Sequence, residues 1–264
     1  LKRLTLESQL RGAIARNESS LHYQPQVDAK SGRVCGMEAL LRWNNAELGN
    51  VPPQEFIPVA EDSGLINTIG DWVLHSACVQ AAAWIDAGLP MERMAVNVSP
   101  VQLVQPDFID RVAHALQESG LEPSVLELEL TEGALIANFE HARDLLGRLR
   151  ALNVQIAIDD FGVGYAGMKY LKELSVNRVK IDRSFICNID TVKKDRTIAA
   201  AIISMAQGMN LSVTAEGVED QKQFVILNLH NCNEIQGYYV ARPMPAEQAA
   251  AYLDLRVPTR VAAG

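Results

Sequence analysis

Residues 154–160 read Val-Gln-Ile-Ala-Ile-Asp-Asp, an apolar and largely β-branched run that ends in two aspartates. A nearly continuous apolar run is typical of a parallel β-strand that is covered on both faces. Similar runs recur along the chain, and segments with helical periodicity separate most of them. The other runs lie near residues 21–28, 34–43, 94–99, 125–131, 178–182, 212–218 and 234–240. This alternation predicts an α/β fold that uses nearly the whole chain.

Eight strands with intervening helices in 264 residues predict a (β/α)8 TIM-type barrel. The first two runs are separated only by residues 28–33, and this gap is too short for a crossover helix. We therefore expect one antiparallel strand at the start of the barrel. An open doubly wound sheet is the alternative, but no glycine-rich phosphate loop follows the first strand.

The composition restricts the partners and the compartment. A formal net charge of −8 argues against binding to a DNA or RNA polymer, because such proteins are usually basic. No run approaches the roughly 18 apolar residues of a membrane helix, and the start of the chain does not resemble a signal peptide. The four cysteines are widely scattered, which indicates buried thiols in a reducing compartment. We therefore expect a cytoplasmic protein.

The domain organisation follows from the same patterns. We expect a single domain over residues 1–264, with an amphipathic lead-in helix at about residues 4–16 and the barrel at about residues 20–255. Because the first residue is Leu1 rather than Met, we expect this domain to be part of a longer multidomain protein. Any membrane tether would then lie in segments outside this sequence.

Polar residues interrupt the apolar runs at similar points on successive strands. They are Glu38, Asn97, Glu129, Asp159, Asp160, Lys180, Glu216 and Gln236. Most gaps between them match one strand–helix unit, so these side chains are expected to converge at the carboxyl-end mouth of the barrel. Any one of them alone is more often a helix cap or a loop charge, and the prediction therefore depends on the whole set.

The chemistry of this set indicates a divalent metal. Carboxylate and amide oxygens are hard ligands that suit magnesium, manganese or calcium. Two adjacent aspartates can serve two ions, and ions about 4 Å apart can activate a water for attack on a phosphodiester. Lys180 could hold the attacking water or a phosphate oxygen. Glu216 could accept a proton or complete the ligand shell of a second ion.

The sequence closely resembles the EAL-domain family of cyclic di-GMP-specific phosphodiesterases over roughly residues 4–255. The motif Glu38-Ala-Leu-Leu-Arg-Trp43 matches the signature that names the family. Six further motifs follow in order: Asn97-Val-Ser-Pro100, Glu129-Leu-Thr-Glu132, Asp159-Asp-Phe-Gly162, Lys180-Ile-Asp182, Glu216-Gly-Val-Glu219 and Gln236-Gly-Tyr-Tyr239. The resemblance implies that the domain opens one phosphodiester of cyclic di-GMP and gives the linear dinucleotide pGpG.

The resemblance also implies a role for each matched residue. The implied ligands of two Mg²⁺ or Mn²⁺ ions are Glu38, Asn97, Glu129, Asp159 and Asp160, with Asp159 bridging. The implied catalytic residues are Lys180, Glu216 and Gln236 around the attacking water, and Glu132, which would anchor the loop after Asp160. The implied substrate-binding residues are Gln24, Leu41, Arg42 and Asp182. Ca²⁺ is expected to inhibit, because its looser geometry fits the ligands but not the in-line alignment.

The loop after Asp160 departs from the family pattern. The family usually reads Asp-Phe-Gly-Thr-Gly-Tyr-Ser-Ser there, whereas this chain carries Val163, Ala166 and Gly167 in place of three hydroxyl residues. Because the ligands themselves are intact, we expect lowered or differently regulated activity. A non-catalytic cyclic di-GMP receptor and a barrel enzyme acting on another phosphate ester are the alternatives. The resemblance further implies a homodimer and an N-terminal sensory or cyclase-like domain in the full-length protein.

Overall fold

The computed structural model describes residues 2–164 and 168–255. Within these residues, β-strands and α-helices alternate along the chain. The strands are β1 (Ser19–Asp28), β2 (Val34–Asn45), β3 (Gly49–Val51), β4 (Met94–Val98), β5 (Leu126–Thr131), β6 (Gln155–Phe161), β7 (Arg178–Ile181), β8 (Ser212–Ala215), β9 (Glu234–Ile235) and β10 (Met244–Pro245). The helices are α1 (Lys2–Leu10), α2 (Pro53–Asp62), α3 (Leu65–Asp86), α4 (Pro100–Leu103), α5 (Phe108–Ser119), α6 (Glu132–Ala137), α7 (Phe139–Ala151), α8 (Met168–Glu173), α9 (Arg183–Ile186), α10 (Lys193–Gly208), α11 (Gln221–Leu229) and α12 (Ala246–Leu255).

Eight of the strands close into a barrel in the order β1-β2-β4-β5-β6-β7-β8-β9 and back to β1. Strands β2 and β4 to β9 are parallel to one another. Strand β1 pairs antiparallel with both β2 and β9. The predicted TIM-type barrel with one antiparallel strand at its start is therefore confirmed. The open-sheet alternative is wrong, because β1 joins the two edges that an open sheet would leave apart.

The short turn between β1 and β2 sets the register at the start of the barrel. The carboxylate of Asp28 accepts a hydrogen bond from the backbone N–H of Ser31 at 2.6 Å. Gly32 then adopts a φ of +68°, in the left-handed region that favours glycine. The resulting register places Gln24 directly opposite Glu38. Gln24 and Glu38, which lie on the two strands that flank the turn, are thus brought side by side.

Strand β5 shows why the barrel interior is partly polar. Its sequence, Leu-Glu-Leu-Glu-Leu-Thr, alternates rather than running apolar throughout. Glu127 contacts Arg178, and Glu129 contacts Lys180, both of them on β7. Because alternate positions of a strand face opposite sides, the leucines face the outer helices and the glutamates face the barrel axis.

Four charged side chains form a buried layer near the amino ends of the barrel strands, here named the ionic floor. It comprises Arg93, Glu127, Arg178 and Glu234, all less than a tenth exposed. The guanidinium of Arg178 contacts the carboxylates of Glu127 and Glu234 at 3.0 Å each. The guanidinium of Arg93 contacts the same two carboxylates at 3.1 and 2.5 Å. Two cations thus face two anions, and the layer is electrically balanced.

The lead-in helix is shorter than the expected residues 4–16. Helix α1 ends at Leu10, and turns follow up to Asn17. Gly12 and Asn17 have φ values of +82° and +57°, which a right-handed helix does not allow. The guanidinium of Arg16 donates hydrogen bonds to the backbone carbonyls of Gln9 and Arg11. These bonds satisfy carbonyl groups at the end of the helix, so the chain can turn there.

The described residues also show the character of the helices and the state of the cysteines. None of the helices in residues 2–164 and 168–255 combines the length and the apolar character that a bilayer-spanning helix needs. Cys35, Cys78 and Cys232 are buried and Cys187 is exposed, and all four are free thiols. The prediction of buried thiols is therefore confirmed for Cys35, Cys78 and Cys232 and is wrong for Cys187.

The ionic floor predicts that replacing a buried arginine lowers the free energy of unfolding far more than replacing an exposed one. Replacing Arg178 by Met leaves two buried carboxylates with one guanidinium, so the free energy of unfolding should fall by about 3–5 kcal/mol. The matched control is Arg143→Met, which removes an exposed ion pair with Glu140 and should change that free energy by less than about 1 kcal/mol. Urea denaturation of both variants measures the difference. Equal losses would contradict the assigned role of the floor.

Candidate active site

The polar residues singled out in the sequence converge at the carboxyl-end mouth of the barrel. Strand register places Asn97 beside Glu129 and Asp159 beside Thr131. Glu38 lies on β2, next to β4, and Lys180 lies on β7. In a parallel barrel, such residues share one end, where this fold places its chemistry.

Lys180 lies at the centre of this group. Its side chain is fully buried, and its ammonium nitrogen lies 2.6 Å from Glu216 and 2.7 Å from Glu129. The same nitrogen lies 3.5 Å from Asp159 and 3.7 Å from Glu38. Burial by itself would lower the pKa of Lys180, but the surrounding carboxylates raise that pKa well above its ordinary value. Lys180 is therefore a permanent cation that faces four carboxylates.

Two side-chain amides orient Glu38. The Asn97 amide donates a hydrogen bond to Glu38 Oε1 at 2.6 Å, and the Gln236 amide donates one to Glu38 Oε2 at 2.5 Å. Burial would raise the pKa of Glu38, but Lys180 and these two donors outweigh it and lower the pKa below its ordinary value. Glu38 is therefore ionised and fixed in orientation, as a metal ligand needs to be.

Other carboxyl groups of the mouth hold protons more tightly. Burial, together with the nearby charge of Glu38, raises the pKa of Glu129 well above its ordinary value. Burial raises the pKa of Glu216 to about 8. Burial and the adjacent charge of Asp159 raise the pKa of Asp160 to about 6. The mouth therefore contains more carboxyl groups than Lys180 can neutralise.

The donor set fits a hard divalent cation. Asp159, Asp160 and Glu216 each offer a carboxylate oxygen, and these oxygens lie within 4.8 Å of one another. Asp160 has a φ of +53°, which is uncommon for a residue other than glycine, and it lies where the register of β6 shifts near the end of the strand. The backbone N–H of Asp160 donates to the Asp159 carboxylate at 3.0 Å. Clustered carboxylate oxygens of this kind suit Mg²⁺, Mn²⁺ or Ca²⁺.

The loop after Asp160 contacts Glu132. The backbone N–H of Gly162 donates a hydrogen bond to the Glu132 carboxylate at 3.0 Å, and Glu132 itself is buried. A Cβ added at Gly164 would lie 2.8 Å from the same carboxylate, so a side chain at this position would displace the Glu132 carboxylate. Val163 is 61% exposed. The expected effects of Ala166 and Gly167 concern positions outside the described residues.

Two cavities adjoin Glu38. The smaller, of about 200 Å³, is lined by Gln24, Glu216, Gln236 and Tyr238 among others. The larger, of about 490 Å³, has mostly apolar walls and is lined by residues that include Leu41, Arg42, Ile57, Glu61, Asn97 and Asp160. Three of the four expected substrate residues thus line a cavity beside the carboxylate cluster.

Asp182 lines neither of these two cavities. Its carboxylate accepts a hydrogen bond from the backbone N–H of Ser184 at 2.9 Å and thereby caps α9. The charge of Asp182 also contributes to the raised pKa of Asp160, after burial and the charge of Asp159. Asp182 therefore lies near Asp160, which itself lines the larger cavity, and its role in binding substrate stays a prediction.

Several residues of the site were not singled out from the sequence. Gln26 is fully buried and donates a hydrogen bond to Gln236 at 2.9 Å. Glu61 accepts a hydrogen bond from the Ser99 hydroxyl at 2.6 Å at the larger cavity. The signal for Gln26 was its spacing, because it lies two residues after Gln24 on the same face of β1. Glu61 lies on a helix and gives no comparable signal.

The chain forms a closed and mainly parallel barrel, with a cluster of carboxylates at the carboxyl-end mouth. These features place it in the class of TIM-barrel proteins, which have their functional sites at that end. Residues 7–243 match the EAL domain family. The chain therefore belongs to the EAL domain family, and the resemblance seen in the sequence is confirmed.

Similar proteins support the same assignment. The chain is 42% identical over 250 residues to MucR of Pseudomonas aeruginosa, a bifunctional diguanylate cyclase/cyclic di-GMP phosphodiesterase, covering 95% of this chain and 36% of MucR. It is also 42% identical over 250 residues to the cyclic di-GMP phosphodiesterase NbdA of the same organism, covering 95% of this chain and 32% of NbdA. The chain thus spans about a third of the length of these curated relatives. A solved structure of the PaMucR phosphodiesterase in complex with c-di-GMP matches with a TM-score of 0.90 and 42% identity, covering 93% of this chain and 99% of that one.

The raised pKa of Glu216 predicts that metal binding releases protons. With a pKa of about 8, Glu216 is mostly protonated at pH 7, and a divalent cation bound by the neighbouring Asp159 and Asp160 would favour its ionised form. Titration calorimetry with Mn²⁺ at pH 7, in buffers of different ionisation enthalpy, should show release of about one proton or more. The affinity should rise as the pH increases from 6 to 8.

Glu216→Gln keeps the shape of the side chain but carries no ionisable proton, so this variant should release fewer protons. A binding enthalpy that does not depend on the buffer would contradict the expectation.

Proposed function

We propose that this domain hydrolyses cyclic di-GMP to pGpG in a reaction that depends on Mg²⁺ or Mn²⁺. The observation that carries the proposal is the buried group of carboxylates around Lys180, with cavities on either side of Glu38. The family membership and the named activities of MucR and NbdA support the substrate.

The metal ligands in this proposal are Glu38, Asn97, Glu129, Asp159 and Asp160. Asp159 and Asp160 adjoin each other at the end of β6, which supports a site for two ions with Asp159 between them. The chemistry that such ions supply when bound is activation of a water and stabilisation of the phosphoryl oxygens. Ca²⁺ offers a looser geometry and is proposed to inhibit.

Lys180 and Glu216 act around the attacking water. Lys180 remains a cation at neutral pH, so it holds the water or a phosphate oxygen by donating a hydrogen bond. Glu216 has a pKa of about 8, near neutrality, which suits a group that exchanges protons during the reaction. Gln236 assists by holding Glu38, to which it donates a hydrogen bond.

Substrate is held by residues at the rims of the two cavities. Arg42 supplies a positive charge for a phosphate, and Gln24 and Leu41 line the cavities beside Glu38. Asp182 contributes to binding substrate from its place near Asp160, which lines the larger cavity. Glu132 anchors the loop after Asp160 through the backbone N–H of Gly162.

Additional domains, dimerisation and location are properties of the whole protein rather than of this domain alone. The relatives MucR and NbdA are about three times as long as this chain, which supports a longer protein with an additional sensory or cyclase-like domain. Homodimerisation and a cytoplasmic location stay predictions. Light scattering of the purified domain tests the first of these, with two copies per particle as the expected result.

The direct test of the proposal is turnover of cyclic di-GMP by the purified domain, followed by detection of pGpG. Product should form with Mg²⁺ or Mn²⁺ and should not form with Ca²⁺. Glu38→Ala should lower turnover by more than about 100-fold, since removing a ligand costs more than removing one of its supporting residues. Glu140→Ala, an exposed glutamate on α7, is the control and should leave turnover unchanged.

Tight binding of cyclic di-GMP without product would favour the alternative of a non-catalytic receptor. The observation in favour of that alternative is Val163, which stands in the loop beside Asp160 where the family usually has threonine.

The altered sequence of the loop after Asp160 leads to a separate prediction. Val163→Thr restores one hydroxyl, and a new hydrogen bond contributes about 1 kcal/mol, which corresponds to about a fivefold increase in turnover. Steady-state kinetics with saturating Mg²⁺ measures the change. An unchanged turnover number would show that the missing hydroxyl does not limit activity.

A further inference from the structure

Gln26 lies between the ionic floor and the carboxylate cluster at the mouth. It is on β1, and its side chain is fully buried. Arg93 donates a hydrogen bond from Nη2 to the amide oxygen of Gln26 at 2.7 Å. The amide nitrogen of Gln26 donates to the amide oxygen of Gln236 at 2.9 Å, and lies 3.5 Å from Glu129 Oε1. Gln26 thus contacts both layers of the barrel interior.

The chemistry of Arg93 determines which way the Gln26 amide faces. A guanidinium can only donate hydrogen bonds, so the oxygen of Gln26 must face Arg93. The amide nitrogen of Gln26 then faces the mouth and must donate to the oxygen of Gln236. Arg93 is held in turn by Glu127 and Glu234 of the ionic floor, so it is not free to move away.

The orientation of the Gln26 amide affects Glu38 through Gln236. Because its oxygen accepts from Gln26, Gln236 must turn its amide nitrogen towards Glu38 Oε2 and towards Gln24 Oε1, at 2.5 and 3.2 Å. The reverse orientation of Gln236 would bring an amide oxygen against the Glu38 carboxylate and two amide nitrogens against each other. The Glu38 carboxylate favours the first orientation of Gln236 by itself, and Gln26 adds to this preference by holding the amide oxygen of Gln236 on the opposite side.

We propose that Gln26 is a positioning residue for the metal site. It orients Gln236, and Gln236 in turn holds Glu38 in the orientation that binds a divalent ion. This inference rests on the proposed function in one respect, namely that Glu38 is a metal ligand. Residues that support a metal ligand in this way typically change metal affinity by about 10–100-fold when they are removed.

The alternative is that Gln26 is a satisfied buried amide with no effect on the site. A double-mutant cycle separates the two. Gln26→Met keeps the approximate length of the side chain and removes both of its hydrogen bonds. The dissociation constant for Mn²⁺, measured by titration calorimetry, should rise about 10–100-fold. The double variant with Gln236→Met should bind Mn²⁺ no more weakly, within threefold, than Gln236→Met alone, because Gln26 acts through Gln236.

A control variant excludes a general effect of lost stability. Asn45 is a buried amide on β2 that donates a hydrogen bond to Glu18 at 3.0 Å, and it lines neither cavity of the mouth. Asn45→Leu should lower stability in urea denaturation and leave the Mn²⁺ affinity unchanged. If Gln26→Met does not fold, Gln26→Asn takes its place, because its shorter side chain cannot reach Arg93 and Gln236 together.

An Mn²⁺ affinity unchanged within threefold by the substitution of Gln26 would overturn the inference, as would losses that multiply in the double variant. A wild-type domain that does not bind Mn²⁺ would also overturn it. The proposed function fails on a different result, namely the absence of pGpG from the wild-type domain. A domain that binds Mn²⁺ and depends on Gln26, yet forms no pGpG, would keep the inference and refute the phosphodiesterase.

Discussion

The buried ammonium of Lys180 among four carboxylates is the interaction on which the rest of the site depends. Its nitrogen lies within 2.6–3.7 Å of Glu216, Glu129, Asp159 and Glu38, which come from four different strands or strand ends. Only a closed barrel brings these segments to one point. Such an arrangement is costly to bury, because one cation cannot compensate the desolvation of four anions. This cost of desolvation raises the pKa values of Glu129 and Glu216, because burial disfavours their charged forms. The presence of this costly arrangement is best explained by a function that needs the excess negative charge.

The contrast between the two polar layers of the barrel supports this interpretation. The ionic floor contains two arginines and two glutamates, so its charges balance and its role is structural. The mouth contains more carboxyl groups than Lys180 can neutralise, and in the proposed function divalent cations balance the remaining negative charge. Gln26 connects the two layers through Arg93 on one side and Gln236 on the other. The rigid balanced layer can thereby fix the orientation of groups in the unbalanced one.

Much of the fold and of the site could be predicted from the sequence, and the reasons are local. The short gap after Asp28 required a hairpin, and the regular spacing of polar residues from Glu38 to Gln236 required a common end of the barrel. What could not be predicted depends on contacts across the barrel. Arg93 and Glu234 are 141 residues apart, and nothing in their spacing indicates a pair. The end of α1 at Leu10 depends on hydrogen bonds from Arg16, which periodicity does not reveal. The hydrogen bond by which Asp182 caps α9 is likewise not evident from the sequence motif, and the role of Asp182 in binding substrate stays a prediction.

The most direct test of the account is a crystal structure of the domain with Mn²⁺ and cyclic di-GMP, with manganese located by anomalous scattering. The account predicts two manganese peaks about 4 Å apart at the barrel mouth. Asp159 should lie between the peaks, and Glu38, Asn97, Glu129 and Asp160 should complete their ligands. A structure at millimolar Mn²⁺ with no manganese at this position, and with Lys180 still paired to the same four carboxylates, would contradict it.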